Sequence, residues 1–376
     1  MRVLFVASGL GLGGAERQIV LLSRELERLG HCVSIYTLTR DTPRMDELAG
    51  TRVEVTVDSK RLRLDPAVLL RLRRHIRAWR PDVVHGFLYD GDIYSRIAAC
   101  GTRLPVLNSE RNDNYELSRA QLVGYRLTAL LCDGIVANSH AGARFAQRVH
   151  PLLQQEIHVV WNGIDLAEVD ARLKRAPKPP VQIFPQADVK RLCMVGAIKP
   201  QKDYLLALRV MRQLVDQDAS WRLVCVGDAL SNGSQGYKAR VLAERDRLQL
   251  EPFVKFVGTR RDVLEIMAAS DLVLVTSLHE GFPNVLLEAM ASGTAVVSTD
   301  YSDVRLILPA DQVVGSRREG DLADAVVRCY ARRAEVASAQ RRWVERHASA
   351  STSAPAMVEA YARYVAPFVV ALQEPR

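Results

Sequence analysis

No stretch of this 376-residue chain holds about twenty consecutive apolar residues, so nothing in it is long enough to cross a bilayer as a helix. The apolar start, Met1 to Ala7, is too short for the core of a secretory signal and runs at once into glycine-rich sequence. It is expected to be a first buried strand, with the protein in the cytoplasm. Cysteine is sparse and scattered: Cys32, Cys100, Cys132, Cys193, Cys225 and Cys329 include no C-x-x-C pair. That fits free thiols in a reducing compartment and excludes a zinc spacing. Aromatics are only 6% of the chain, and no basic groove with interleaved aromatics occurs, so no nucleic-acid partner is expected. Biased tracts are missing too, and 48% hydrophobic with 25% charged residues describes a folded globular protein.

What is present begins with arginine, which dominates a net charge of +8. Arg61, Arg63, Arg71, Arg73, Arg74, Arg77 and Arg80 concentrate it, opposed only by Asp65. Leu69, Leu70, Leu72 and Ile76 interleave, so Pro66–Trp79 is expected as a basic amphipathic helix with proline in its first turn. Its outer face is either solvated or a docking face for anionic lipid or an anionic acceptor.

The length suggests two domains. Short apolar runs at Arg2–Ala7, His31–Thr39, Asp82–Gly86, Gly134–Asn138 and Ile157–Trp161 alternate with helical patterns such as Ala15–Leu29. Residues 169–190 lose that periodicity and collect lysine and proline, which marks a linker. The alternation then resumes through Arg191–Gly196, Tyr204–Asp216, Trp221–Gly227, Tyr237–Leu248, Val254–Val257, Val263–Ala269, Leu272–Thr276, Asn284–Ala291 and Ala295–Ser298. The expected fold is α/β: two doubly wound, Rossmann-like parallel sheets, 1–168 and 191–358, facing across a cleft. A C-terminal helix, 359–376, is expected to pack back on the first.

The chemistry concentrates in Ser277-Leu278-His279-Glu280-Gly281-Phe282-Pro283-Asn284-Val285-Leu286-Leu287-Glu288, followed by Gly293. A buried strand ends, a glycine loop turns, Pro283 suits the first helical position, and Gly293 suits the cap. The free N–H groups of Phe282, Asn284 and Val285 would make an anion site at the helix start. Two carboxylates beside a diphosphate would be repelled by it, so Glu280 and Glu288 are expected to bind hydroxyls, of a sugar and of a ribose.

This string resembles the E-x7-E signature of glycosyltransferase family 4. Further landmarks follow in order: Gly13-Gly14-Ala15-Glu16-Arg17, Pro81 to His85, Ala137-Asn138-Ser139, Asn162 to Asp165, Val226-Gly227-Asp228 and Val254 to Gly258. The chain is similar to the bacterial members that carry G-G-A-E-R. The resemblance implies the GT-B architecture and retaining transfer from a nucleotide-sugar, UDP-linked, which is a co-substrate; neither metal nor cofactor is implied. It further implies Glu280, Lys202 and His85 as catalytic, with Gly14, Gly196, Thr259, Arg260, Val263, Gly281, Phe282, Pro283, Asn284, Val285 and Glu288 around the donor. Gly13, Glu16 and Arg111 would lie on the acceptor side. The implied acceptor is a glycan or lipid-linked sugar of cell-envelope polysaccharide or lipopolysaccharide, at the inner face of the plasma membrane.

Three departures stand out. Ala197 occupies a position where the family carries arginine, leaving Lys199 or Arg260 to replace its charge. Phe87 stands where members place a second histidine, and Asp90 where another often lies. Tyr301-Ser302-Asp303-Val304-Arg305 replaces a glycine-rich segment. Two other function classes fit parts of the chain. Gly9 to Gly14 spells the dinucleotide fingerprint, but the second strand ends Leu38-Thr39-Arg40 without the acid a ribose needs. A non-catalytic glycan-binding protein on the same fold would not need the intact glutamate pair and Lys202.

Overall fold

The computed structural model describes residues 1–11, 13–62, 64–111, 118–150, 156–175, 183, 188–229 and 232–373. The chain opens with β1 (Arg2–Ala7), α1 (Gly14–Arg28), β2 (Cys32–Thr37), β3 (Glu54–Val57), α2 (Pro66–Trp79) and β4 (Val83–Phe87). It continues with α3 (Leu88–Ala99), β5 (Val106–Glu110), α4 (Arg119–Thr128), β6 (Gly134–Ala137), α5 (His140–Val149), β7 (Ile157–Val159) and α6 (Leu166–Arg175). Then come β8 (Lys190–Val195), α7 (Tyr204–Gln217), β9 (Trp221–Val226), α8 (Asn232–Arg247), β10 (Val254–Phe256), α9 (Val263–Ala268) and β11 (Leu272–Val275). Last are α10 (Asn284–Ala291), β12 (Ala295–Thr299), α11 (Val304–Ile307), β13 (Val313–Val314), α12 (Glu319–Ala331), α13 (Arg333–His347) and α14 (Ala350–Gln373).

Two compact units result, residues 1–163 with 349–376, and residues 164–348. The first holds a seven-stranded sheet in the order β3-β2-β1-β4-β5-β6-β7. The second holds six strands in the order β10-β9-β8-β11-β12-β13. Every pairing is parallel, which is why the strands read as continuous apolar runs: both faces are covered by helices. In the first unit, α14 buries Ala354, Met357, Ala360 and Tyr361 against Phe5, Ile19 and Leu22. On the other face Leu72, Ile76 and Tyr94 cover Leu4 and Val6.

Local chemistry sets the sharpest boundaries. Asp65 caps α2, its carboxylate accepting from the amides of Ala67 (3.0 Å) and Val68 (3.4 Å), and Pro66 supplies the first residue. Val68, Leu72, Ile76 and Trp79 are its buried stripe.

The structure corrects several expectations. Helix α6 runs through Leu166–Arg175, so the start of the expected linker is helical, while 176–182 and 184–187 lie outside the described residues. The C-terminal helix begins at Ala350 rather than 359. Helix α3 was not expected, because Leu88-Tyr89-Asp90-Gly91-Asp92 has loop chemistry. It is helical because Ile93, Tyr94, Ala98 and Ala99 bury, and Gly91 lets it close on β1: a Cβ there would collide with the Val6 carbonyl.

Candidate functional site

In the second unit three strands end in glycine at the carboxyl edge of the sheet. Gly196 follows β8 at φ 154°, Gly227 follows β9 at φ 132°, and Gly258 lies just beyond β10 at φ 67°. The Gly196 amide donates to the Val226 carbonyl and that of Gly227 to the Gly258 carbonyl, both at 2.9 Å. A Cβ on Gly227 would run into the Gly196 carbonyl, so these loops interlock only without side chains.

Beside this shelf sits Lys202, at the end of a short helical turn. Its ammonium is 2.8 Å from Glu280 Oε1, which also accepts from the Ser277 hydroxyl at 2.5 Å. The two side chains are 11% and 14% exposed, shielded from bulk water yet still reachable. Their backbones are laced together. The Leu278 amide donates to the Gln201 carbonyl (2.8 Å), the Gln201 side chain to the His279 carbonyl (2.7 Å), and the Thr276 hydroxyl to the Lys202 carbonyl (2.8 Å).

Three further residues serve this constellation, and sequence reasoning had assigned them no role. The Arg317 guanidinium donates to the carbonyls of Thr276 (3.0 Å) and Ser277 (3.3 Å) and to the Asp203 carboxylate (2.5 Å). It thus ties the start of the loop carrying Glu280 to the residue after Lys202. The Ser302 hydroxyl, at φ 48°, donates to the Gly281 carbonyl at 2.6 Å. Tyr301 is buried, and burial first, then the Glu280 charge, holds its phenol well above the ordinary tyrosine range. Its hydroxyl lies beside Ser277, Ser298 and Glu280 without a hydrogen bond of standard geometry to any of them. These contacts account for Tyr301 and Ser302 of the 301–305 segment.

The two candidates for the charge absent at Ala197 separate. Lys199 lies within the Lys202–Glu280 field: burial and then the Lys202 charge lower its pKa, against the pull of Glu280. Arg260 is clamped by the Asp262 carboxylate through two bonds of 2.8 and 2.6 Å. Thr259 precedes it on the loop after β10, and Val263 opens α9.

Helix α10 starts at Asn284, and Pro283 is its cap rather than its first residue. The Asn284 amide donates to the Phe282 carbonyl at 3.0 Å, so it is not one of the free donors expected. Those of Phe282 and Val285 have no acceptor among the described residues. Glu288 sits one turn in, partly exposed, and Gly293 at φ 77° ends the helix as expected.

The first unit treats its expected site residues differently. Gly13 caps α1 and Gly14 opens it, both exposed, and a Cβ at Gly13 would strike the Glu16 carboxylate folded back over the turn. Leu12 lies outside the described residues. His85, expected to face substrate, is instead fully buried. Its Nδ1 meets the Tyr361 hydroxyl and its Nε2 the Ser109 hydroxyl, each at 2.7 Å, and its ring lies 4.5 Å from that of Phe87. Burial, then the Arg111 charge, holds it neutral, well below the ordinary histidine range.

Arg111 is likewise interior. It donates to Asn162 Oδ1 (2.6 Å) and Ser109 Oγ (3.3 Å), lies over the Phe87 ring, and burial pulls its pKa down to about 10. Asn112 is outside the described residues. Asp90 pairs with Lys60 at 2.5 Å. Within the basic stretch, Arg71 holds Asp58 through two bonds (2.9 and 2.8 Å) and Arg73 holds the Ala98 and Cys100 carbonyls. Arg61, Arg74, Arg77 and Arg80 are exposed, and Arg63 is outside the described residues.

A polar network unforeseen from sequence fills the same unit. Buried Asp92 accepts from the Tyr125 hydroxyl (2.6 Å) and Asn108 (2.9 Å), while Arg96 donates to Asn108 (2.7 Å). Burial pushes the Asp92 carboxyl up to about 7. Among the described residues no group of three His, Cys, Asp or Glu is placed to hold a metal, and no helix is long and apolar enough to cross a membrane.

Comparison with known proteins matches a separate family model to the greater part of each unit. Residues 12–168 match the family model described as Glycosyltransferase Family 4, and residues 189–332 that described as Glycosyl transferases group 1. The chain is 26% identical over 312 residues to the putative glycosyltransferase EpsF of Bacillus subtilis, covering 80% of this chain and 79% of the relative. Among solved structures, HepE of Anabaena in complex with UDP superposes with a TM-score of 0.80 at 20% identity, over 96% of this chain and 100% of that one. The apo lipopolysaccharide outer core galactosyltransferase WaaB gives 0.70 at 16% identity, over 96% and 100%.

Proposed function

We propose that this chain, a glycosyltransferase of the GT-B type, moves a sugar from a UDP-sugar to a hydroxyl of a glycan or lipid-linked acceptor with the anomeric configuration retained. One observation carries the reading. Lys202 and Glu280 are held within 2.8 Å of each other at the carboxyl edge of the second sheet, between a glycine shelf and the start of α10. That edge is where open parallel sheets take ligands.

In the proposed reaction the bond from the anomeric carbon to the diphosphate oxygen breaks. A bond from the acceptor oxygen to the same carbon forms on the same face. The acceptor proton passes to the departing phosphate oxygen, so no protein base is required. Lys202 turns from Glu280 to the leaving diphosphate, and Lys199 adds the charge that Ala197 lacks. The Phe282 and Val285 amides complete the donor set, worth about 3 kcal/mol of barrier per well-placed donor. Glu280, released, holds a hydroxyl of the sugar, and Glu288 the ribose. Neither metal nor cofactor enters, so turnover should survive EDTA.

The complex of HepE with UDP supports the nucleotide, and the similarity to WaaB supports a lipopolysaccharide-type acceptor. The proposed setting is cell-envelope assembly at the cytoplasmic face of the membrane, with peripheral contact near Arg61–Arg80. A panel of UDP-, GDP- and ADP-sugars, read first by thermal shift and then by transfer, tests the reading. Stabilisation by no UDP compound, or unchanged turnover in Glu288→Ala with the right donor, overturns it.

A further inference from the structure

Glu280 belongs to a loop whose backbone is pinned on both sides of it. The Ser277 carbonyl accepts from Thr299 Oγ1 at 2.8 Å and from Arg317 at 3.3 Å. The Leu278 amide and the His279 carbonyl are bonded to Gln201, and the Gly281 carbonyl accepts from the Ser302 hydroxyl at 2.6 Å. When Lys202 turns to a diphosphate, this backbone does not follow, and only the Glu280 side chain is left to adjust. The carboxylate then loses the ammonium at 2.8 Å and keeps the Ser277 hydroxyl at 2.5 Å. To hold a sugar hydroxyl in one place it needs its own orientation fixed by more than that one bond.

An unused hydrogen-bond donor lies beside it. Strands β11 and β12 pair with Val275 opposite Ser298, so the residues just past their ends are neighbours. Tyr301, two residues beyond β12, is 6% exposed, and its hydroxyl lies beside Ser277, Ser298 and Glu280 without a hydrogen bond of standard geometry to any of them. A buried phenol ordinarily finds a partner, so this one calls for an account. Its two serine neighbours already donate elsewhere, Ser277 to Glu280 and Ser298 to the Thr299 carbonyl at 2.8 Å. They can therefore only accept from it, and the Glu280 carboxylate is the strongest acceptor of the three. Burial, then the Glu280 charge, holds the phenol well above the ordinary tyrosine range, so it keeps its proton and is available to donate.

The geometry points to Tyr301 as the residue that positions Glu280 once a nucleotide-sugar is bound: its hydroxyl donates to the carboxylate in place of Lys202, and together with Ser277 it aims Glu280 at a hydroxyl of the transferred sugar. The inference rests on the role given to Glu280 in the proposed function and adds to it a residue that acts through Glu280 without touching the sugar. No proton is transferred. In the unliganded protein the Lys202–Glu280 pair keeps the carboxylate engaged, and the phenol stays without a bond.

Tyr301→Phe removes the one oxygen and keeps the ring. Titration calorimetry with UDP, UDP-glucose and UDP-galactose should find the Kd of UDP within about twofold of wild type, while the Kd of the tighter-binding sugar nucleotide relative to UDP rises about tenfold, as for loss of a hydrogen bond to a charged group. The melting temperature should be no lower than that of wild type, because the hydroxyl has no bond to lose in the unliganded protein. In a Glu280→Ala background the same substitution should add nothing, since a residue that acts through another falls silent when that one is removed. An unchanged ratio in Tyr301→Phe, equal weakening of UDP and the sugar nucleotides, a lower melting temperature, or an undiminished effect in the Glu280→Ala background overturns the inference and leaves the functional reading standing. Wild type that binds UDP but neither sugar nucleotide overturns it together with the role of Glu280. Wild type that binds no UDP overturns the functional reading itself, and this inference with it.

Discussion

The two units share a parallel-sheet design and place ionisable residues on or just beyond their strands, yet they use them in opposite ways. In the second, Lys202 and Glu280 hold each other at 2.8 Å, both largely shielded yet still partly exposed. In the first, both nitrogens of His85 are held by Ser109 and Tyr361, and Arg111 is shut in by Asn162 and Phe87. A histidine within a strand or an arginine just past one is therefore not a site by residue type. What matters is whether its partner can be exchanged for substrate.

The strongest way to break this contrast is Glu288→Ala, expected to abolish transfer while circular dichroism and melting stay those of wild type. Lys202→Ala should lower kcat by about 10² to 10³ while the fold persists, measured under saturating donor. His85→Ala should do the reverse. Removing a buried ring and orphaning two hydroxyls should cost about 2–4 kcal/mol in denaturant unfolding, with kcat of the folded fraction within about tenfold. A kcat loss as large as that of Lys202→Ala would return His85 to the reaction. Lys199→Ala should reduce kcat by about tenfold and Arg260→Ala by less, because Arg260 is occupied by Asp262. Equal effects would erase the distinction between them.

The smallest effect is in pH dependence. Asp92, pushed up to about 7 by burial, keeps its proton in the folded unit, whereas the unfolded chain releases it near about 4. The folded state then binds more protons, so stability falls as pH rises from about 4 to about 7 and is level above that. Asp92→Asn should flatten this portion of the melting profile, and an unchanged slope would point to another group.

Much of this was legible because it is local. The bounds of α2 follow from Asp65-Pro66 and a helical apolar stripe, and those of α10 from the glycines around it. The Glu280–Glu288 string named the donor region for the same reason. Arg317 and Tyr301 were illegible because their roles depend on which strands become neighbours: β11 lies between β8 and β12, which no short window reveals. His85 reads as functional from its strand, and its burial and its contact with Tyr361, on the last helix, could not be read there. Helix α3 was hidden by loop-like residues whose helicity comes from burial rather than propensity.

Helix α14 has a consequence for the order in which this protein can be made. The first sheet leaves the ribosome early, but Ala354, Met357, Ala360 and Tyr361, which complete its core, are translated only after the whole of residues 164–348. The second unit can therefore settle during synthesis, as domains generally fold in units, while the first waits with an apolar face uncovered and His85 lacking a partner. A nascent chain stalled before Ser349 should thus display one protease-resistant body and one still open to cleavage.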